Sequence, residues 1–203
     1  MIKWSKGSGK LEDIPSLNTN TLTNKYCKAM HESEQEDIIC KECYSYYMLK
    51  TFRKNCAEAW QRNSDLLREE RTNLELPYVN AALGAARFHS HGELINLQHA
   101  RHFIRIAQRQ PDIIFSLWTK KPVLILFAIM SMRLEKKPKN LILIYSNPKI
   151  DTTAELPSGF DKVFNVVTED SDEVNCTGKC KDCMLCYSHN DVDQVYEIKK
   201  KGS

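Results

Sequence analysis

The sequence has no long apolar run. Its most apolar stretch, PVLILFAIMSM at 122–132, is too short to span a bilayer and gives way at once to RLEKKPK. The N-terminal MIKWSKGSGKLEDIPSLNTN is polar and carries no apolar core of a secretory signal, so a soluble, cytoplasmic protein is expected. Charge of one sign is not in excess either. The 29 basic and 26 acidic residues leave a net charge of +3, which gives no indication of a strong nucleic-acid field. No P-loop, GxSxG, HExxH or EF-hand loop is present, and no internal repeat. At 203 residues the chain can bury a real core as a single domain.

Residues 1–36 read as irregular, punctuated by Gly, Ser, Pro, Asn and Thr without a period. From Asp37 to Asn73 apolar residues recur at three and four with no Pro or Gly, which predicts one long helix or two abutting ones. In the part from 78 to 168, AARF, DIIFSLWTK, NLILIYS and DKVFNVVTE read as strands. NLQHARHFIRIAQRQ and PVLILFAIMSMRLEKK read as helices between them, with Asn96 as an N-cap and Pro122 in a first turn. Buried strands alternating with helices predict an α/β fold with mostly parallel strands. Eight such units do not fit, so the expected form is a partial (β/α) barrel. The acidic stretch 168–173 reads as a solvated loop. A cysteine-rich loop at 174–190 follows.

Ligands in such sheets collect at the C-terminal strand ends. His89, Ser90, His91, Gly92 and Glu93 fall there, as does Lys120 with Lys121. Glu93 would accept from a ligand ammonium, or else cap the next helix. His89 or His91 would donate to a ligand, and Gly92 would supply a positive φ for a turn. Arg87 would need a partner, for which Glu93 is the candidate. His99 and His102 are expected at the surface.

The eight cysteines are the main feature. Cys176, Cys180, Cys183 and Cys186 are separated by three, two and two residues. Adjacent disulfides at such spacing would be strained, and a reducing compartment disfavours them. Four thiolates wrapped by one loop suit a [4Fe–4S] cluster or, as the alternative, zinc. Upstream, Cys27, Cys40 and Cys43 supply three more ligands, which would leave one iron open to a small molecule. Cys56 lies about 20 Å beyond Cys43 along a continuous helix and reads as a core thiol. Tyr44, Tyr46 and Tyr47 would shield a cluster, or, for two of the three, fill a helix core.

The segments KYCKAM…ICKECYSYY, ARFHSHGELINLQHARHFIRIAQRQPDIIFSLWTKKP and CTGKCKDCMLCY resemble the bacteriophage gene product 88 family. That family carries an N-terminal cysteine segment ending in CxxCY, a central R-h-s-G-(D/E)-h and a terminal C-x2-C-x2-C-(W/Y). The resemblance implies a phage origin, hence the host cytoplasm, and an iron–sulfur centre. A looser similarity is to radical S-adenosylmethionine enzymes. Cys43-Tyr44 and Gly92-Glu93 match their aromatic-after-cysteine and GE motifs. The gap of twelve between Cys27 and Cys40 departs from their usual three. On this reading S-adenosylmethionine would be a second cofactor, and an electron-transfer partner or small-molecule ligand the partner; zinc would instead imply a binding module for protein or nucleic acid.

Overall fold

The computed structural model describes residues 1–70, 75–169 and 172–199. Its elements run β1 (Ser16–Leu17), α1 (Lys25–His31), α2 (Tyr44–Lys50), α3 (Lys54–Arg68), β2 (Ala85–Phe88), α4 (Leu97–Gln108), β3 (Ile114–Thr119), α5 (Pro122–Ser131), β4 (Leu141–Ile150), β5 (Lys162–Val167), α6 (Cys180–Cys183) and β6 (Gln194–Ile198). The six strands form one all-parallel sheet in sequential order. It is open at β1 and β6 and does not close into a barrel. No helix is long and apolar enough to cross a membrane among the described residues.

The expected strands from AARF to DKVFNVVTE are present. They read as continuous apolar runs because both faces of the sheet are covered. On one face Ala86, Phe88, Phe115, Leu117, Leu141 and Leu143 pack under α4 and α5. Phe88 stacks between Phe103 of α4 at 4.1 Å and Phe115 at 5.1 Å. On the other face Ala85, Trp118, Ile142 and Ile144 meet Ile14, Met184 and Tyr187. The cysteine-rich connection between β5 and β6 therefore serves as the cover of the second face.

Three expectations are refined or corrected. The stretch from 37 takes the second of its two expected forms, two abutting helices: a 3-10 turn at Ile39–Glu42 precedes α2, and the chain breaks at residues 51–53 before α3. The Thr51 hydroxyl donates to the Tyr47 carbonyl, and the Met48 carbonyl accepts from both Thr51 and Arg53 amides. This local bonding competes with the helix without Pro or Gly. The predicted end near Asn73 lies outside the described residues. Second, the segment 1–36 is not irregular throughout: it carries β1 and the seven-residue helix α1, capped by Asn24. Asn18, Thr19, Asn20, Thr21 and Asn24 are buried, and β1 adds an edge strand. Third, β6 extends the sheet beyond the last strand expected.

Candidate functional site

Cys176, Cys180, Cys183 and Cys186 are carried by one short, over-tied loop. The Cys176 amide donates to the Tyr196 carbonyl of β6. Helix α6 is a single turn, ended by Met184 in a left-handed conformation (φ 49°). Lys181 on α6 pairs with Glu12 at 2.8 Å and Asp13 at 3.6 Å. The Ser116 hydroxyl of β3 donates to the Cys186 carbonyl, and Tyr187 lies buried against Trp118. All four cysteines, none in a disulfide, line one small, partly open pocket of about 20 Å³ with Lys10, Arg87, Trp118, Phe164 and Tyr187.

The polar walls of that cavity are unusual. Arg87 Nε, Trp118 Nε1 and Tyr187 Oη are buried without hydrogen-bond partners. The Arg87 guanidinium stacks on the Trp118 ring at 3.7 Å and stands beside the Tyr187 hydroxyl, opposing the rise that burial gives its pKa. A buried donor left without an acceptor costs about 1–3 kcal/mol. Three donors beside four thiols thus form a pocket that lacks acceptors. Burial pushes the Cys186 thiol up to about 12 and raises Cys180, while Arg87 and Lys10 act in the opposite direction. Lys10 is held by Glu197 at 2.5 Å.

The upstream cysteines form a second group. Asn24 caps α1, its Oδ1 accepting from the Tyr26 and Cys27 amides. Cys40 lies in the 3-10 turn, and Cys43 precedes α2, its carbonyl accepting from Tyr47. The segment before Cys40 is tied to the end of β4, since the Ile150 amide donates to Asp37. Burial holds the Cys27 thiol far above its ordinary value, reinforced by the charges of Glu93, Cys43 and Cys40 and opposed by Lys120. Burial likewise raises Cys40, again opposed by Lys120. Lys120 Nζ donates to Ser146 at 2.8 Å, placing it just past the end of β3 and beside the middle of β4. No upstream cysteine lines the terminal cavity.

A family model, gene product 88, matches residues 4–199. The chain belongs to the gene product 88 family. The match spans both cysteine groups and every strand. No curated protein and no solved structure matches the chain.

In this family member the structure sorts the remaining expected residues. Glu93 joins the upstream group, but its carboxylate is already engaged. Oε1 accepts from the Leu94 amide and the Thr119 hydroxyl, at 2.7 and 2.6 Å, and Oε2 from the Lys120 amide at 2.7 Å. It latches the β2–α4 loop to β3, while Asn96 caps α4 as expected. Arg87 does not pair with Glu93; it faces the terminal cavity on the other side of the sheet. Ser90 donates to Asn18 and Ser16, and the His91 ring bonds Ser45 and stacks on Trp60 at 4.4 Å. His89, at φ 60°, turns into the helical layer against His99 and Phe103. Gly92 has the expected positive φ, 94°, and packs on the Thr19 backbone.

His99 and His102 are buried rather than at the surface. His102 bonds the Leu67 carbonyl and Gln98, which satisfies both ring nitrogens. Cys56 is half-buried in the first turn of α3, and the helix break removes the 20 Å separation argued from a continuous helix. Tyr44 and Tyr47 are exposed, and Tyr46 stacks on His31. Sequence reasoning missed Lys10, Trp118 and Tyr187. The signal for Tyr187 was its place directly after Cys186; for Arg87 it was the need of a strand arginine for a partner.

Among the described residues no three His, Cys, Asp or Glu side chains are gathered tightly enough for a single metal ion. The lining of the terminal pocket, four cysteine sulfurs beside Arg87, Lys10 and buried N–H and O–H donors, has the chemistry that an anionic, sulfur-rich group would call for.

Proposed function

We propose that this protein is a phage-encoded iron–sulfur protein of the host cytoplasm. Cys176, Cys180, Cys183 and Cys186 would hold one [4Fe–4S] cluster. Cys27, Cys40 and Cys43 would hold a second with one iron open. The observation that carries the reading is the terminal cavity, where four free thiols meet three buried donors without acceptors. When bound, such clusters supply a one-electron couple. The chain's own part is to neutralise thiolate charge with Arg87 and Lys10, to donate hydrogen bonds to sulfur, and to keep water away with Trp118, Phe164 and Tyr187.

At the upstream site Lys120 stands beside the cysteines and favours a ligand carrying a negative group. Radical chemistry on S-adenosylmethionine is the enzymatic form of this reading; electron transfer or redox sensing is the other. The sequential parallel strands support the comparison with a partial barrel. The Glu93 carboxylate, being engaged by Thr119 and Lys120, would orient that edge rather than bind a ligand ammonium.

Anaerobic purification with iron and sulfide analysis tests the proposal. About eight irons and eight sulfides per chain are expected for two cubanes. Cys180→Ala or Cys183→Ala should lose about half, and Cys56→Ala none. A colourless protein holding zinc without sulfide would replace the reading with a zinc-stabilised binding module. Formation of 5′-deoxyadenosine from S-adenosylmethionine under strong reductant decides the enzymatic form.

A further inference from the structure

Three buried donors without acceptors meet at one place. Arg87 comes from β2, Trp118 from β3 and Tyr187 directly after Cys186, and all three line the pocket of the terminal cysteines. Trp118 and Tyr187 are only 7% and 3% exposed, yet Trp118 Nε1, Tyr187 Oη and Arg87 Nε have no hydrogen-bond partner. The groups stand together. The guanidinium lies 3.7 Å from the Trp118 ring, and the Trp118 and Tyr187 rings are 5.8 Å apart. Arginine Nε and tryptophan Nε1 can only donate, so this wall lacks an acceptor. The acids around it do not supply one. Glu197 pairs with Lys10 at 2.5 Å, and Glu12 and Asp13 pair with Lys181 at 2.8 and 3.6 Å. Asp182 on α6 is exposed and does not line the pocket.

We infer that the metal-free chain binds one small, polarisable monovalent anion against this wall, and that hydrosulfide is its ligand. Arg87 Nε, Trp118 Nε1 and Tyr187 Oη donate to it, and the guanidinium charge offsets its own. Size sets the class. A pocket of about 20 Å³ has room for one water-sized body, which excludes phosphate, a carboxylic acid or a nucleotide. Geometry favours an anion over water. A water offers two lone pairs to three donors, whereas a small anion accepts from every side. The lining favours a soft anion. The four cysteines and Met184 bring sulfur, and Trp118 and Phe164 bring aromatic carbon, so dispersion rewards a polarisable guest. None of this depends on iron. It bears on the iron–sulfur reading in one respect: hydrosulfide held here lies against the four cysteines, where a cluster would need inorganic sulfide.

The test titrates the reduced, chelator-treated full chain with sodium hydrosulfide by calorimetry, beside bromide, chloride and sulfate, at constant ionic strength in gluconate buffer. One reversibly bound hydrosulfide per chain is expected, displaced by bromide, held more tightly than chloride and not matched by sulfate. Arg87→Gln should weaken binding at least about tenfold, as loss of a charge-assisted hydrogen bond does. Tyr187→Phe removes only a hydroxyl and covers the case of an arginine variant that fails to fold. It should weaken binding about fivefold and leave the denaturant midpoint in gluconate level or raised, because an unmet buried donor is gone. Lys136→Gln, at an exposed cation, should change nothing. Absence of hydrosulfide binding overturns the inference, as does binding unchanged in both pocket variants or chloride held as tightly as hydrosulfide. A Tyr187→Phe chain less stable in gluconate overturns it too, since the hydroxyl then has a partner of its own. A colourless zinc protein whose metal-free chain still takes hydrosulfide sinks the iron–sulfur reading alone. A cluster-loaded protein whose metal-free chain takes none sinks the anion site alone.

Discussion

Single residues carry much of the case. Arg87 is the clearest: a strand arginine whose Nε has no acceptor, stacked on Trp118 beside four thiols. Arg87→Gln removes a positive charge from the cavity. The terminal cluster should then be harder to reduce, its potential shifting to more negative values in a redox titration, while Lys120→Gln should leave it in place. Gly92 is a second such residue. An added Cβ would press into Thr19, whose carbonyl oxygen would lie 2.7 Å away, at a φ of 94°. Gly92→Ala should cost at least roughly 1–3 kcal/mol, read as a lower denaturant midpoint. The buried histidines set the acid limit. Burial holds His89 and His91 near about 3. The unfolded chain therefore takes up protons below about 6.5 that the folded one refuses. Stability should be flat above that pH and fall towards 3 by about 1.4 kcal/mol per pH unit for each histidine. His91→Gln should make the slope shallower in pH-dependent denaturation.

Elements differ in how openly the sequence declares them. Strands β2 to β5 were legible because two-sided burial demands unbroken apolar runs, and α5 because Pro122 opens it. The break between α2 and α3 was not, since it is made by Thr51 bonding back to Tyr47 and by no breaker residue. Strand β1 has two residues inside a polar stretch whose asparagines and threonines are buried by partners far along the chain. Asn24 illustrates the consequence. It caps α1 and also donates to the Glu93 carbonyl at 2.8 Å, joining the Cys27 turn to the β2–α4 loop. Asn24→Ala should cost about 1 kcal/mol from the cap alone. It should also lower iron retention at the upstream cysteines while the terminal cluster stays loaded, which metal analysis of the variant against Cys27→Ala would establish.

At the scale of the whole molecule, sheet order separates the two cysteine groups. One lies at the C-terminal ends of β3 and β4, and the other over the face opposite α4 and α5. The sequence by itself determined the grouping of the cysteines along the chain and the parallel α/β class, because cysteine spacing and apolar periodicity are local properties. It left open whether the seven cysteines make one site or two. Only the tertiary structure decided that they gather as two groups, that Arg87, Trp118 and Tyr187 turn unpaired donors towards one of them, and that Glu93 is already spent as a latch. Those are relations between residues dozens of positions apart, brought together by burial of both faces of one sheet, and no local pattern encodes them.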